Sequence, residues 1–245
     1  GGVPRKVLIF DVNDEYGAYK LERGMVNIKA LALKDIAMFT IHPKIEIRRI
    51  RPFFDDGTRM TIDDMSDVLL RIIDIFRGGL LVIEDINKYT SDNMKNDLIG
   101  AICTCRHLDL DVLLQQQSIG RVATKVWQNI NFLRFHRNSD SVEKHKNKFP
   151  EKYELFTITE KLVNSQYRMG NERFYVHVDI DTEKIIGNYT KEMLLAAIDE
   201  YIGENYSSLV KPILNRRTIQ GAKMITPDAA YEEIRKRCYL DFYGN

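Results

Sequence analysis

The order of apolar runs and helical periodicities predicts an α/β protein: a doubly wound, mainly parallel sheet followed by a C-terminal α+β extension. Three observations predict it. Leu80-Leu81-Val82-Ile83, closed at once by Glu84-Asp85, has the pattern of a strand buried on both faces that delivers carboxylates to the rim of a sheet. Immediately before it, Met65, Val68, Leu69, Ile72, Ile73 and Phe76 recur at helical spacing. Short strand-like runs on either side, Arg5 to Phe10 and Asp111 to Gln116, also end in polar residues.

Composition bounds the rest. The 245 residues have room for one large α/β domain or a domain with an appendage. A hydrophobic share of 44% and a charged share of 29% are those of a globular protein. The formal net charge of +1 gives no whole-molecule attraction to nucleic acid, so any such contact has to use a local patch. Cys103, Cys105 and Cys238 form no CxxC pair and no zinc spacing, and an odd count favours a reducing, intracellular setting. His107, His136, His145 and His177 show no metal-ligand spacing either. No apolar run approaches the ~18 residues of a membrane span and no signal peptide is evident, so the expectation is a soluble cytoplasmic protein with no membrane partner.

In chain order, Arg5 to Phe10 reads as a buried strand that hands Asp11, Asp14 and Glu15 to a loop. His42-Pro43 is a break, and Lys44 to Ile50 alternates as an edge strand with one wet face. Pro52 and Asp55-Asp56-Gly57 make a turn. Thr61 followed by Asp63 and Asp64 is a helix start, and Gly78-Gly79 stops that helix before the acidic strand. Thr90 to Asn93 offers caps for a second helix through Met94, Leu98, Ile102 and Cys105, ending near Arg106. Gln115-Gln116-Gln117 close the next strand, a helix is expected over 119–128, and Asn131 to His136 reads as one more strand of the sheet. Residues 139–155 are charged and read as a solvated helix. Phe174 to Ile180 is a strand with Ile185-Ile186 pairing back, and helices are expected from Thr190 and from Thr226-Pro227.

Three of these segments resemble, in this order, the HerA–FtsK branch of ring-forming P-loop ATPases, which includes DNA-pumping motors and the packaging ATPases of some viruses. Val7 to Asp11 with Glu15-Tyr16 matches the strand that follows the P-loop helix. The strand ending in Glu84-Asp85 matches Walker B, and Arg106 with Gln117-Ser118 matches the arginine-bearing helix end and the polar sensor strand. The match covers roughly residues 5–137, which implies a P-loop NTPase-like core over 1–138 and an extension over 139–245. Two features depart from the family. No GxxxxGK[ST] loop occurs, the nearest string being Gln220-Gly221-Ala222-Lys223, so the expectation is that the phosphate loop precedes this segment in a longer protein. The acids also run Glu then Asp, where the family usually has Asp then Glu.

The resemblance implies roles residue by residue. Asp85 would orient the attacking water and Glu84 would serve the magnesium shell. Gln117 would sense the γ-phosphate, with Gln115 or Gln116 as alternatives. Arg106 would reach a neighbouring subunit as a finger, with Arg134 and Arg137 as rivals. Asp11, Glu15 and Arg137 would line the nucleotide's edge of the site. The cofactors implied are ATP and Mg. The partners implied are further copies in a hexameric ring, double-stranded DNA, and a portal or capsid protein, in the host cytoplasm if the source is viral. DNA contact would fall to Arg48, Arg49, Arg216 and Arg217, with Arg51, Lys223 and the Lys144-Lys146-Lys148 group beside them; the plain alternative for each patch is a solvated face. The function expected is an ATP-hydrolysing DNA translocase, and its alternative is a non-catalytic scaffold derived from such an ATPase.

Overall fold

The computed structural model describes residues 4–21, 24–86, 96–216, 221 and 224–244. The chain forms two compact units, one running to Val126 and the other starting at Trp127.

The first unit is built on four parallel strands. They are β1 (Lys6–Phe10), β4 (Ile47–Ile50), β5 (Gly79–Ile83) and β6 (Leu110–Leu114), in the spatial order β4-β1-β5-β6. A small antiparallel pair, β2 (Tyr19–Leu21) and β3 (Gly24–Val26), precedes helix α1 (Ile36–Ile41). Helices α2 (Ile62–Ile75) and α3 (Asn96–Thr104) lie between successive strands of the sheet, and α4 (Thr124–Trp127) is a single turn. This is the α/β class expected, a parallel sheet flanked by helices. The segment expected to alternate is the edge strand β4, but it does not have one wet face: Ile47 is half exposed, whereas Arg49 and Ile50, on opposite faces, are both buried, Arg49 because it is held in ion pairs with Asp11 and Asp14.

Helix α2 starts where the sequence placed it. The Thr61 hydroxyl accepts from the Asp64 amide, and the Asp64 carboxylate accepts from the Thr61 amide at 2.8 Å, a capping box worth ~1 kcal/mol. Its buried stripe, Leu69, Ile72, Ile73 and Phe76, packs with Leu8, Phe10, Ile50, Leu81 and Ile83 of the strands. Each such side chain contributes ~1.5–3 kcal/mol by leaving water. Gly78 takes a φ of 67°, and a Cβ on Gly79 would stand 2.4 Å from Phe76 Cζ and 2.8 Å from the Lys6 carbonyl oxygen. Only glycine lets α2 run so tightly into β5. On β5 itself Leu81 and Ile83 are fully buried, whereas Leu80 and Val82 on the opposite face are only half-buried, less than the four-residue apolar run suggested.

The second unit holds an antiparallel sheet of β7 (Phe132–His136), β8 (Tyr175–Asp179) and β9 (Lys184–Ile186). The run 132–136, expected to extend the parallel sheet, pairs instead with β8, because β7 and β8 present matching inward residues, Phe135 against Val176 and Leu133 against Val178. Helices α5 (Tyr153–Arg168), α6 (Lys191–Glu204), α7 (Tyr206–Leu214) and α8 (Pro227–Phe242) complete it. Helix α5 brings Leu155, Phe156, Ile158 and Leu162 into the core, and Trp127, Phe149 and Phe156 stack edge to face or tilted beside them. Thr190 and Thr226 cap α6 and α8 as expected, with Pro227 in the first turn of α8.

Two local expectations differ. The helix expected over 119–128 is reduced to the turn Ile119–Arg121 and to α4. The charged run before α5 is not one solvated helix but two short 3-10 turns, Glu143–Lys148 and Pro150–Lys152. Among the described residues no helix is long and apolar enough to cross a membrane.

Candidate active site

Parallel strands bring their carboxyl ends to one rim of the sheet, where open α/β sheets bind ligands. Here β1 delivers Asp11, β5 delivers Glu84 and Asp85, and β6 delivers Gln115 to Gln117.

Asp11 shapes the loop that follows it. Its carboxylate, fully buried, accepts from the backbone amides of Glu15 at 2.9 Å and Tyr16 at 3.1 Å and from Arg49 Nη1 at 2.7 Å. Arg49 also donates to the Ile28 carbonyl and pairs with Asp14, which Arg51 contacts at 2.8 Å. Gly17 makes room for this guanidinium, since a Cβ there would lie 2.8 Å from Arg49 Nη2. A buried carboxylate that accepts three hydrogen bonds fixes its loop firmly.

The loop then presents two side chains to the acidic pair. The Tyr16 hydroxyl donates to Glu84 Oε1 at 2.9 Å, and Asn13 Nδ2 donates to Asp85 Oδ2 at 3.0 Å. From the other side Gln117 Nε2 donates to Asp85 Oδ1 at 3.0 Å. Asp85 is therefore clamped between two amides, with its backbone at a left-handed φ of 43°. Glu84 is 5% exposed. Burial raises its carboxyl above the ordinary range, the Tyr16 bond opposes this, and the charges of Asp11, Glu15 and Asp85 add to it. Tyr16 is raised in turn by burial and by its bond to Glu84.

The structure separates the sequence-selected residues. Glu84, Asp85 and Gln117 come together, and of the three glutamines it is Gln117 that reaches Asp85, while the Gln116 amide is tucked in among protein atoms. Asp11 is turned inward as a loop anchor rather than toward a ligand, and Glu15 is exposed at the rim. Arg49, read as a surface cation for DNA, is buried in its ion pairs, and Arg48 is bound at 2.6 Å to Glu46, just ahead of the strand. In the second unit Arg137 stacks its guanidinium 3.9 Å from the Tyr167 ring centre, and Arg216 pairs with Glu233 at 3.4 Å. The Arg106 backbone lies in the turn Cys105–Leu108, while its side chain, the Thr90 to Asn93 caps, Arg217 and Lys223 lie outside the described residues.

Asn13 was not singled out by sequence reasoning. The signal available was its place in an unbroken polar loop directly after a buried strand. Among the described residues no three His, Cys, Asp or Glu side chains converge as a direct metal-binding group.

No known family model matches the chain, and no curated protein does. Among solved structures the chain is similar to the genome packaging NTPase B204 from Sulfolobus turreted icosahedral virus 2. With AMPPCP bound, the identity is 14% over 77% of this chain and 85% of that one, with a TM-score of 0.45. With ATP-gammaS bound, the identity is 12% over 74% and 80%, again with a TM-score of 0.45. B204 described as the DNA-packaging ATPase from Sulfolobus Turreted Icosahedral Virus is 13% identical over 76% and 84%, with a TM-score of 0.44. Likeness at this level is loose, and the functional reading rests on the site.

Proposed function

We propose that the chain is the subunit of an ATP-hydrolysing, ring-forming motor that moves double-stranded DNA, of the kind that packages viral genomes. The observation that carries this reading is the clamp on Asp85: amides from two other loops hold its two carboxylate oxygens at 3.0 Å each, at the rim of a parallel sheet. A carboxylate fixed in this way is a preorganised acceptor for a proton of the attacking water. Gln117, bound to that carboxylate, would report on the terminal phosphate. Arg106 of one copy would stabilise charge in the site of the next, and a portal or capsid protein would hold the ring.

Glu84 fits an outer-shell role toward magnesium. A magnesium ion would neutralise charge on the phosphate oxygens, and it keeps several of its waters when bound. The donor set agrees with this: one buried carboxylate in the field of Asp11, Glu15 and Asp85 favours a nearby cation.

A second reading, a non-catalytic assembly scaffold, is favoured by one observation, the lack of a GxxxxGK[ST] string in the 245 residues. ATP turnover by the full-length protein, with and without duplex DNA, separates the two. The expected result is DNA-stimulated turnover that a Glu84→Gln/Asp85→Asn double variant abolishes. Absence of turnover in every state removes the motor and leaves the scaffold.

A further inference from the structure

The antiparallel sheet of the second unit has two unlike faces. Phe135, Val176 and Val178 point inward and are buried. The alternate positions point outward: Phe132, Arg134 and His136 on β7, against Tyr175 and His177 on β8. Arg134 faces His177 and His136 faces Tyr175 in the register.

These outward side chains touch one another in one layer, edge to face at Tyr175–His177, tilted at His136–Tyr175 and stacked at Phe132–His177. The Arg134 guanidinium lies 3.7 Å from the centre of the Tyr175 ring. Tyr175 stands 5.2 Å from His136 and 5.4 Å from His177, and Phe132 stacks on His177 at 5.0 Å with the planes 25° apart. Phe132 is nevertheless 54% exposed and Tyr175 37% exposed. Burial, and then the charge of Arg134, lower the basicity of both histidines.

We propose that this face binds the unpaired bases of a single-stranded nucleic acid by stacking. Exposed planar rings side by side on a sheet, with a guanidinium among them, offer surfaces for the flat faces and the negative backbone of such a strand. The charge is complementary: among the described residues Arg134 makes no ion pair, and the carboxylate of Asp179 at the rim is occupied by the Asp181 and Thr182 amides at 3.1 Å each. The inference goes beyond the motor reading and stands whether or not the chain turns over ATP.

The test is fluorescence anisotropy of a short labelled oligothymidylate, titrated with the full-length protein without nucleotide, and repeated in the Glu84→Gln/Asp85→Asn background. Phe132→Ala and Tyr175→Ala are each expected to weaken binding about 5- to 150-fold, the equivalent of ~1–3 kcal/mol per stacked base. Tyr175→Phe keeps the ring and should bind within about twofold of wild type. Arg134→Gln should flatten the dependence of affinity on salt. Thermal melting of each variant separates lost binding from lost folding, and Tyr175→Phe keeps the test decisive if an alanine variant fails to fold. Three results overturn the proposal: no binding by wild type, equal binding of the folded alanine variants, or equal affinity for a duplex whose bases are already stacked. Self-association that the alanine variants abolish, with no oligonucleotide binding, would assign the face to a protein contact instead. Absence of ATP turnover by the wild-type protein, with oligonucleotide binding retained, would overturn the motor reading alone.

Discussion

Gln117 and Asp85 are 32 residues apart in the chain and 3.0 Å apart in space. Their meeting follows from strand register. Ile83 pairs with Leu114 across β5 and β6, so the residues just beyond the two strands emerge side by side. The first loop brings Asn13 to the other carboxylate oxygen. The candidate site is thus assembled from three neighbouring strand ends.

If Gln117 and Asn13 orient Asp85, removing either amide should slow the chemical step more than it weakens nucleotide binding. Gln117→Leu is expected to lower kcat about 100-fold with KM nearly unchanged, since misplacing a catalytic group by ~1 Å costs that much. Steady-state ATP turnover of the full-length protein measures it. An unchanged kcat would remove the positioning role.

Glu84 should cost the fold stability at neutral pH. Burial raises its carboxyl in the folded state, and the neighbouring charges of Asp11, Glu15 and Asp85 raise it further against the Tyr16 bond. A raised folded value means that the contribution is favourable below the unfolded value and is lost as pH rises through the folded one. Glu84→Gln is therefore expected to melt above wild type at pH 7, by ~2–4 °C for each kcal/mol relieved. The difference should shrink as pH falls toward 4.5. Melting curves of both proteins across that range check the sign.

The acid limb should carry the opposite signature from Asp14. Hydrogen bonds from Arg51, then Arg49, hold its carboxyl at about 2, below its usual 3.8. Its stabilisation is present above the unfolded value and is lost as pH falls from 3.8 to about 2. Asp14 is partly exposed and its pairs are screened, so Asp14→Asn is expected to cost only ~1 kcal/mol at neutral pH. Asp11→Asn, which strips a buried arginine of its main partner, should cost ~3 kcal/mol or more. Urea unfolding of the two variants side by side gives the comparison, and equal losses would contradict the burial argument.

Gly79→Ala should destabilise the chain by ~1–3 kcal/mol, because the added methyl needs space already held by Phe76 and by the Lys6 carbonyl. Pairing it with Phe76→Leu should recover part of the loss. Urea unfolding of the single and double variants measures the coupling.

Much of this was legible in the sequence, and the exceptions have physical causes. Helix α2 was readable because its cap, its apolar period and its terminating glycines agree. The strand ending in Glu84-Asp85 was readable because carboxylates seldom close an apolar run without a reason. The partnership of β7 was not readable: strand pairing is decided by long-range complementarity, which a local pattern does not encode. The fate of Arg49 was hidden for the same reason, since three nearby arginines look like a surface patch until the loop after β1 folds back over one of them. Helix α5 did carry a period, Leu155, Ile158, Leu162 and Gln166, but charged residues before it masked its start. The tie between Asn13 and Asp85 joins two loops and has no local trace.

The left-handed backbone at position 85 bears on the order of the two acids. A side chain there must tolerate a positive φ, which short Asp and Asn do more readily than longer side chains. Exchanging the pair to Asp-Glu would place the less tolerant residue at the bend. The Glu-Asp order is therefore the one that suits this chain's turn, and a swap of the two acids without a change in that turn should be less stable than wild type.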